Sequence, residues 1–248
     1  MYREKDIFSR NELLVGLSAA EQLREARVIL FGVGGVGSWC AESLIRSGVG
    51  HLTLVDSDCV SLTNINRQLP ATIETIGQAK VEVLKTRLLT INPYANITAI
   101  QTAYTAESHP QFELHTYNYI IDAIDSLEHK TNLIINATRT NATFFSGMGA
   151  ALKIDTSRIR TAEFWKVYGC PLAAALRRRL KKIALPEKEF LCVFSDEVLE
   201  NKGVPPILPP NQSEWDKRKA RINGTMVHIT AIFGFTLAGL VIQDIVKK

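Results

Sequence analysis

Short apolar runs alternate with amphipathic stretches through the first 150 residues. Residues 27–31 (RVILF) form a β-rich run, followed at once by GVGGVGS and by a helical pattern over 39–47. Residues 51–55 (HLTLV) read as a second strand ending in Asp56 and Asp58. Residues 77–91 read as a helix with Val81, Leu84, Leu88 and Ile91 on one stripe, stopped by Asn92-Pro93. Residues 97–101 and 119–123 (YIIDA) are further strands, 127–139 a helix, and 143–146 a strand before Gly147. Such alternation predicts an α/β protein with a Rossmann-like, mostly parallel sheet and helices on both faces. Ligands of such sheets bind at the carboxyl ends of the strands.

Beyond residue 150 the pattern changes. A strand-like stretch over 158–165 precedes a basic helix over 171–182 and a short apolar run around 192–194. Residues 201–211 carry Pro205, Pro206, Pro209 and Pro210; proline continues neither a helix nor a central strand, so this reads as a mobile surface loop. Residues 226–246 are mostly apolar and close to membrane-spanning length, but include His228, Gln243 and Asp244, with Gly234 and Gly239 inside. They read as a buried or interface helix, with a membrane segment as the alternative; peripheral membrane contact stays open.

At 248 residues and 46% hydrophobic, the chain can bury a full core, which excludes general disorder. The net charge of +4 is mild, so a nucleic-acid partner has to be sought in local clusters. Cys40, Cys59, Cys170 and Cys192 form no C-x-x-C pair, which argues against a structural zinc site and a disulfide scaffold and for reduced thiols. The opening MYREKDIFSR lacks the apolar core of a secretory signal, so a cytoplasmic location is expected.

The glycines Gly32, Gly34, Gly35 and Gly37 lie between a strand and a helix, where backbone N–H groups can approach a phosphate. Alone the pattern also suits a nicotinamide dehydrogenase, because Asp56 supplies the usual acid after the second strand. The run after Asp56 separates the two: Asp58, Asn64, Arg67 and Gln68, then Lys80 opening a helix. Splitting ATP requires cations around a departing pyrophosphate, and Arg67 and Lys80 supply them. Asp122 and Asp125 end the YIIDA strand; Asp125 is either a Mg²⁺ ligand beside polyphosphate or a helix N-cap.

Together GVGGVGS, Asp56, Asp58, Asn64-Ile-Asn-Arg67-Gln68, Lys80 and Asp122-Ala-Ile-Asp125 resemble the adenylation domain of the ubiquitin-activating-like superfamily. The resemblance implies that Asp56 holds the ribose hydroxyls, that Asn64, Arg67 and Lys80 hold the phosphates, and that Asp125 holds magnesium. It also implies that Arg10 crosses a homodimer to the partner's ATP. The activators of sulfur carriers carry two C-x-x-C pairs, which this chain lacks. Its Pro171–Lys182 basic run, Cys192-Val-Phe-Ser195 and glycine-bearing C-terminal helix resemble instead the tRNA threonylcarbamoyladenosine dehydratases, although Cys170 stands where an acidic residue is expected. The implied organisation is one domain over 1–248. Its ATP-binding adenylation core is 7–150, and 151–248 is an extension for substrate binding and dimerisation.

That resemblance implies adenylation of the threonyl carboxylate of threonylcarbamoyladenosine in tRNA, next to the anticodon. Ring closure by the substrate's carbamoyl arm follows, with net loss of water. ATP and Mg²⁺ are the implied cofactors, tRNA and a second copy the implied partners, with a sulfur-relay protein as a possible helper. Arg177, Arg178, Arg179, Lys181 and Lys182 then read as a phosphate-tracking helix, and Lys217, Arg218, Lys219 and Arg221 as a second cluster. Without the resemblance a solvated helix face is the simpler reading of them. Trp165 and Trp215 are stacking or packing residues. The rival functions are adenylation of a ubiquitin-like sulfur carrier, an NAD-dependent oxidoreductase, and a non-catalytic nucleotide sensor.

Overall fold

The computed structural model describes residues 3–204 and 223–247. Its strands are β1 (Arg27–Phe31), β2 (His51–Val55), β3 (Asn96–Ile100), β4 (Tyr119–Asp122), β5 (Thr143–Gly147), β6 (Ile159–Glu163) and β7 (Leu191–Ser195). They form one sheet in the order β3-β2-β1-β4-β5-β7-β6, parallel throughout except for β6, which runs antiparallel along β7. The described helices are α1 (Glu4–Ile7), α2 (Ser9–Val15), α3 (Leu17–Glu25), α4 (Gly37–Arg46), α5 (Lys80–Ile91), α6 (Leu127–Thr138), α7 (Pro171–Ile183) and α8 (Val227–Val246).

Successive strand residues point to opposite faces, and here both faces are covered, which is why RVILF and YII are apolar without interruption. Val28, Leu30, Leu52, Leu54 and Ile121 pack with α4, α5 and α8 on one side. Ile29, Phe31, Ile120, Phe144 and Phe194 pack with α6 and α7 on the other. β1 has β2 on one flank and β4 on the other, so the chain crosses over in opposite directions from this pair. A crevice opens at that switch point, above the carboxyl ends of β1 and β4.

Several elements differ from their sequence patterns. Residues 4–25 form three short helices that no periodicity announced; Leu13 and Leu14 are 87% and 86% exposed, so the apolar positions there do not mark a core face. The helix expected from residue 77 starts at Lys80, because Gly77 takes φ +84° and its amide donates to the Val60 carbonyl at 2.9 Å. The strand expected over 158–165 is trimmed to β6 by a 3-10 turn at each end, fastened by Asp155 and Glu163 accepting from the Ser157 and Trp165 amides. Between β3 and β4 the crossover is made by 3-10 turns, His109–Phe112 and Leu114–Thr116, in place of an α-helix.

The long apolar helix α8 satisfies the length and hydropathy of a membrane span, and half of it is buried within the protein. It lies across α4 at Gly234, where an added Cβ would overlap the Val36 carbonyl oxygen and stand 2.8 Å from the Cys40 nitrogen. Farther along, Asp244 accepts a hydrogen bond of 2.8 Å from the Tyr119 hydroxyl. Because both helices meet through backbone, neither can yield by a rotamer change. Gly234→Ala is expected to cost roughly 1–3 kcal/mol of stability, lowering Tm by several degrees in a thermal melt; an unchanged Tm would contradict this packing.

Candidate functional site

The loop after β1 is shaped by two glycines. Gly32 has φ +86°, and a Cβ there would sit 2.7 Å from the Ala123 carbonyl oxygen; a Cβ on Gly37 would overlap Gly32's own carbonyl. The loop therefore folds on itself while abutting the loop after β4. A Cβ on Gly34 would stand 3.7 Å from the Gln68 carboxamide, and one on Gly35 would stand 3.4 Å from the Arg67 stem and 3.2 Å from Thr230 of α8. The first turn of α4 directs backbone donors to the same place. The Ser38 hydroxyl donates to the Gly34 carbonyl at 2.6 Å and accepts from the Leu69 amide at 3.2 Å, while the Trp39 indole donates to the Arg67 carbonyl at 3.1 Å. Glycine loop and Arg67 turn are thus one unit.

At the end of β2, Asp56 accepts from the Val33 amide at 2.8 Å and the Asp58 amide at 2.9 Å. Burial pushes its carboxyl above the usual range, and Lys80 opposes that shift. The buried Lys80 ammonium donates to Asp58 at 2.9 Å, so the cation sits between two acids at the head of α5.

Asn64 ends a 3-10 turn, Leu62–Asn64, and is buried; its carbonyl accepts from the Arg67 and Gln68 amides, and its side-chain oxygen from the Ser61 amide at 3.1 Å. Gln68 is buried too, and its Oε1 has no hydrogen-bond partner within the described protein, as suits a cradle that awaits a donor. The Arg67 guanidinium donates through Nη1 to the Thr63 carbonyl at 2.9 Å and to Asn66 Oδ1 at 2.8 Å. Burial lowers its hold on the proton, and the nearby Asp125 carboxylate raises it. Arg67 and Asp125, read from distant stretches of sequence, therefore act on each other across the crevice.

The two acids after β4 part company. Asp122 does not face the crevice: it is fully buried, paired with Lys130 at 2.8 Å, and accepts from Ser146 at 2.7 Å and the Ile124 amide at 3.0 Å. Its expected contact with nucleotide gives way to a supporting place, because every approach to its carboxylate is filled. Asp125 is exposed, and the N-cap of α6 is Ser126, which accepts from the His129 amide. The described residues hold no group of three or more His, Cys, Asp or Glu suited to a metal on their own. A magnesium ion at Asp125 would take waters and phosphate oxygens as its other ligands.

Other expected residues lie elsewhere. Arg10 is exposed on α2, next to Asn11, which donates to the Arg46 carbonyl at the far end of α4. About 15 Å of helix separates it from its own glycine loop. In α7, Arg178, Lys181 and Lys182 are exposed. Arg177 is half-buried, and its Nη1 donates to the Phe164 carbonyl at 3.0 Å and the Val167 carbonyl at 2.7 Å, which holds that end of the guanidinium against the protein. Arg179 is half-buried, 3.9 Å from Glu128. Lys181 lies over the Trp165 ring. All four cysteines are free thiols, and burial pushes Cys40 and Cys192 well above the usual range. Trp215, Lys217, Arg218, Lys219, Arg221 and the prolines at 205–210 fall outside the described residues.

The ThiF family model matches residues 8–248. The chain belongs to the ThiF family. It is 36% identical over 242 residues to a tRNA threonylcarbamoyladenosine dehydratase of Bacillus subtilis (strain 168), covering 97% of this chain and 94% of the relative. The crystal structure of the E. coli tRNA N6-threonylcarbamoyladenosine dehydratase in complex with ATP superposes with a TM-score of 0.85 at 33% identity, covering 97% of this chain and 94% of that one. A molybdopterin-synthase adenylyltransferase of Escherichia coli (strain K12) is 31% identical, but over only 60% of this chain and 59% of its own length.

In this ThiF-family chain the residue that sequence reasoning missed is Lys130. It is fully buried in α6, bound to Asp122 and, at 3.0 Å, to the Ile124 carbonyl. It thereby clamps the loop that carries Asp125. Its only sequence signal was a lysine on an otherwise apolar stripe with Leu127, Ile134 and Ala137. Lys130→Met leaves Asp122 charged and unpaired, which costs on the order of 3–5 kcal/mol. Urea unfolding is expected to show that loss; a cost below about 1 kcal/mol would mean that the pair is not as dry as it is drawn.

Proposed function

We propose that this ThiF-family chain is a tRNA threonylcarbamoyladenosine dehydratase, adenylating a threonyl carboxylate on tRNA with ATP. One observation carries the reading. Arg67 and Lys80 flank a glycine loop with Asp56 beneath it, in a chain that is similar along 97% of its length to a dehydratase seen with ATP. Likeness to the molybdopterin-synthase adenylyltransferase covers 60% of the chain, so that reading leaves the remaining two fifths without a counterpart. The nicotinamide reading leaves the two cations without a task.

The chemistry follows from the arrangement. Asp56 accepts hydroxyl hydrogens of the ribose, and the α4 amides with Gln68 seat the phosphates. The substrate carboxylate attacks the α-phosphorus; the P–O bond to the β-phosphate breaks, and its electron pair leaves with pyrophosphate beside Arg67 and Lys80. The resulting acyl-adenylate is attacked by an atom of the substrate's own carbamoyl arm. The ring closes, AMP carries off the carboxylate oxygen, and a proton is lost. A tethered nucleophile can reach an effective concentration of ~10⁵ M or more, so no thioester is needed. Asp125 would hold magnesium, which when bound would neutralise charge on the phosphates.

Docking of the tRNA falls to residues 151–248, with 7–150 as the adenylation core. Arg178, Lys181 and Lys182 share one exposed face of α7, with Trp165 beside them. A cytoplasmic location fits a tRNA-modifying enzyme, and a sulfur-relay protein as helper rests on the family resemblance alone. The second copy is argued from Arg10. It cannot reach its own crevice, and it stands among the exposed Leu13, Leu14 and Leu17, apolar surface that a homodimer would cover. Arg10 then completes the partner's site.

Pyrophosphate release by the purified protein is expected to require both Mg-ATP and tRNA bearing threonylcarbamoyladenosine, and to fall at least about 100-fold in Arg67→Ala. Stimulation by a ubiquitin-like carrier instead of tRNA, or binding of NAD in preference to ATP, would overturn the reading. For the homodimer, Arg10→Ala and Arg67→Ala proteins, each inactive, are expected to regain about a quarter of the parental rate when unfolded and refolded together, because half the dimers then carry one intact site. No recovery would place Arg10 outside the partner's site.

A further inference from the structure

Residues 199–201 and 224–228 are joined to the stretch at 152–154 by a seam of hydrogen bonds. The Leu199 amide donates to the Leu152 carbonyl and the Leu152 amide to the Gly224 carbonyl, each at 2.9 Å. The Gly224 amide donates to Asn201 Oδ1 at 2.8 Å, and the His228 ring pairs with the Ile154 carbonyl at 3.0 Å. Leu152 takes φ +60°, a conformation costly for a bulky residue, and both of its peptide groups are bound within the seam. The last bond is different in kind: Asn66 Nδ2 donates to the Thr225 carbonyl at 3.0 Å, 159 residues away in the chain.

Asn66 also holds Arg67, because its Oδ1 accepts from Arg67 Nη1 at 2.8 Å. A carboxamide carries its acceptor and its donors on opposite arms, so the bond at one arm decides what the other presents. With Nδ2 turned to Thr225, Oδ1 has to face the guanidinium. Were the Thr225 carbonyl to move, the amide could rotate, and Nη1 would keep only the Thr63 carbonyl. One end of the guanidinium is thereby fixed, which aims the rest of its planar fork.

We infer that Asn66 is a positioning residue that ties the set of Arg67 to the seam that Thr225 and Gly224 form with Asn201 and Leu152, so that engagement of the substrate-binding half is felt at the phosphates. This rests on the dehydratase reading of the site. Aspartate at 66 would hold Arg67 but repel the Thr225 carbonyl, and leucine would do neither; asparagine alone of the three meets both demands.

The test uses the full-length protein, Mg-ATP and tRNA bearing threonylcarbamoyladenosine. In Asn66→Leu, kcat for pyrophosphate release is expected to fall about three- to tenfold, the weight of one hydrogen bond, with Tm and the KM for ATP nearly unchanged. Calorimetry with a non-hydrolysable ATP analogue gives a second readout: tRNA is expected to tighten analogue binding in the parent, and in neither Asn66→Leu nor Asn66→Asp. A parental kcat in Asn66→Leu, a loss seen only in Tm or KM, or intact tightening in either variant overturns the inference alone. A parent that responds to tRNA in neither assay overturns the dehydratase reading, and this inference with it.

Discussion

The site depends on how closely the loop after β1 can approach the loop after β4. Gly32 lies against Ala123 with no room for a side chain, and Gly37 turns over Gly32 in the same way. Only this approach brings the start of α4 and the exposed Asp125 to opposite walls of one crevice. The Asp122–Lys130 pair fixes the far wall from below, since the same ammonium also binds the Ile124 carbonyl. A buried ion pair adds little net stability, but its geometry is exacting because neither charge tolerates losing the other. What it contributes here is the place of the loop two residues on.

Each cation of the crevice is held by carboxylates of the protein itself. Lys80 is buried between Asp56 and Asp58, and Arg67 is half-buried with Asp125 as its charged neighbour. Desolvation weakens Arg67's proton affinity and strengthens that of Asp56, so in both cases the ionised form is the one that gains from a bound partner. A triphosphate offers charge to the cations, and its ribose offers donors to the acid. The buried Gln68 oxygen without a partner belongs to the same pattern.

Much of this was legible in the residues, and the reason is two-sided burial. β1 and β2 fall on the residues their apolar runs marked, because a strand covered on both faces has no polar position to blur its ends. The glycine loop and the acids after β2 were legible through spacing. The N-terminal helices were not, as their leucines face outward and carry no core periodicity. Asp122 and Asp125 look alike in sequence; only the fold reveals that one is filled by Lys130 and Ser146 and the other is open. Arg177 was likewise indistinguishable from its basic neighbours until the Phe164 and Val167 carbonyls were seen to claim it.

The second half of the chain is not an appendage to this site. β7 and β6 extend the same sheet beyond β5, and α8 returns to lay Thr230 on the glycine loop and Gly234 on α4. Any shift of α8 along α4 must therefore move a wall of the crevice, because the two helices meet through backbone atoms that have no rotamers to absorb it. An enzyme whose second nucleophile already belongs to its substrate has no need of a mobile cysteine domain. It needs a rigid seat that registers whether a large substrate is in place, and a single sheet that carries both the nucleotide loop and the substrate-side elements provides one.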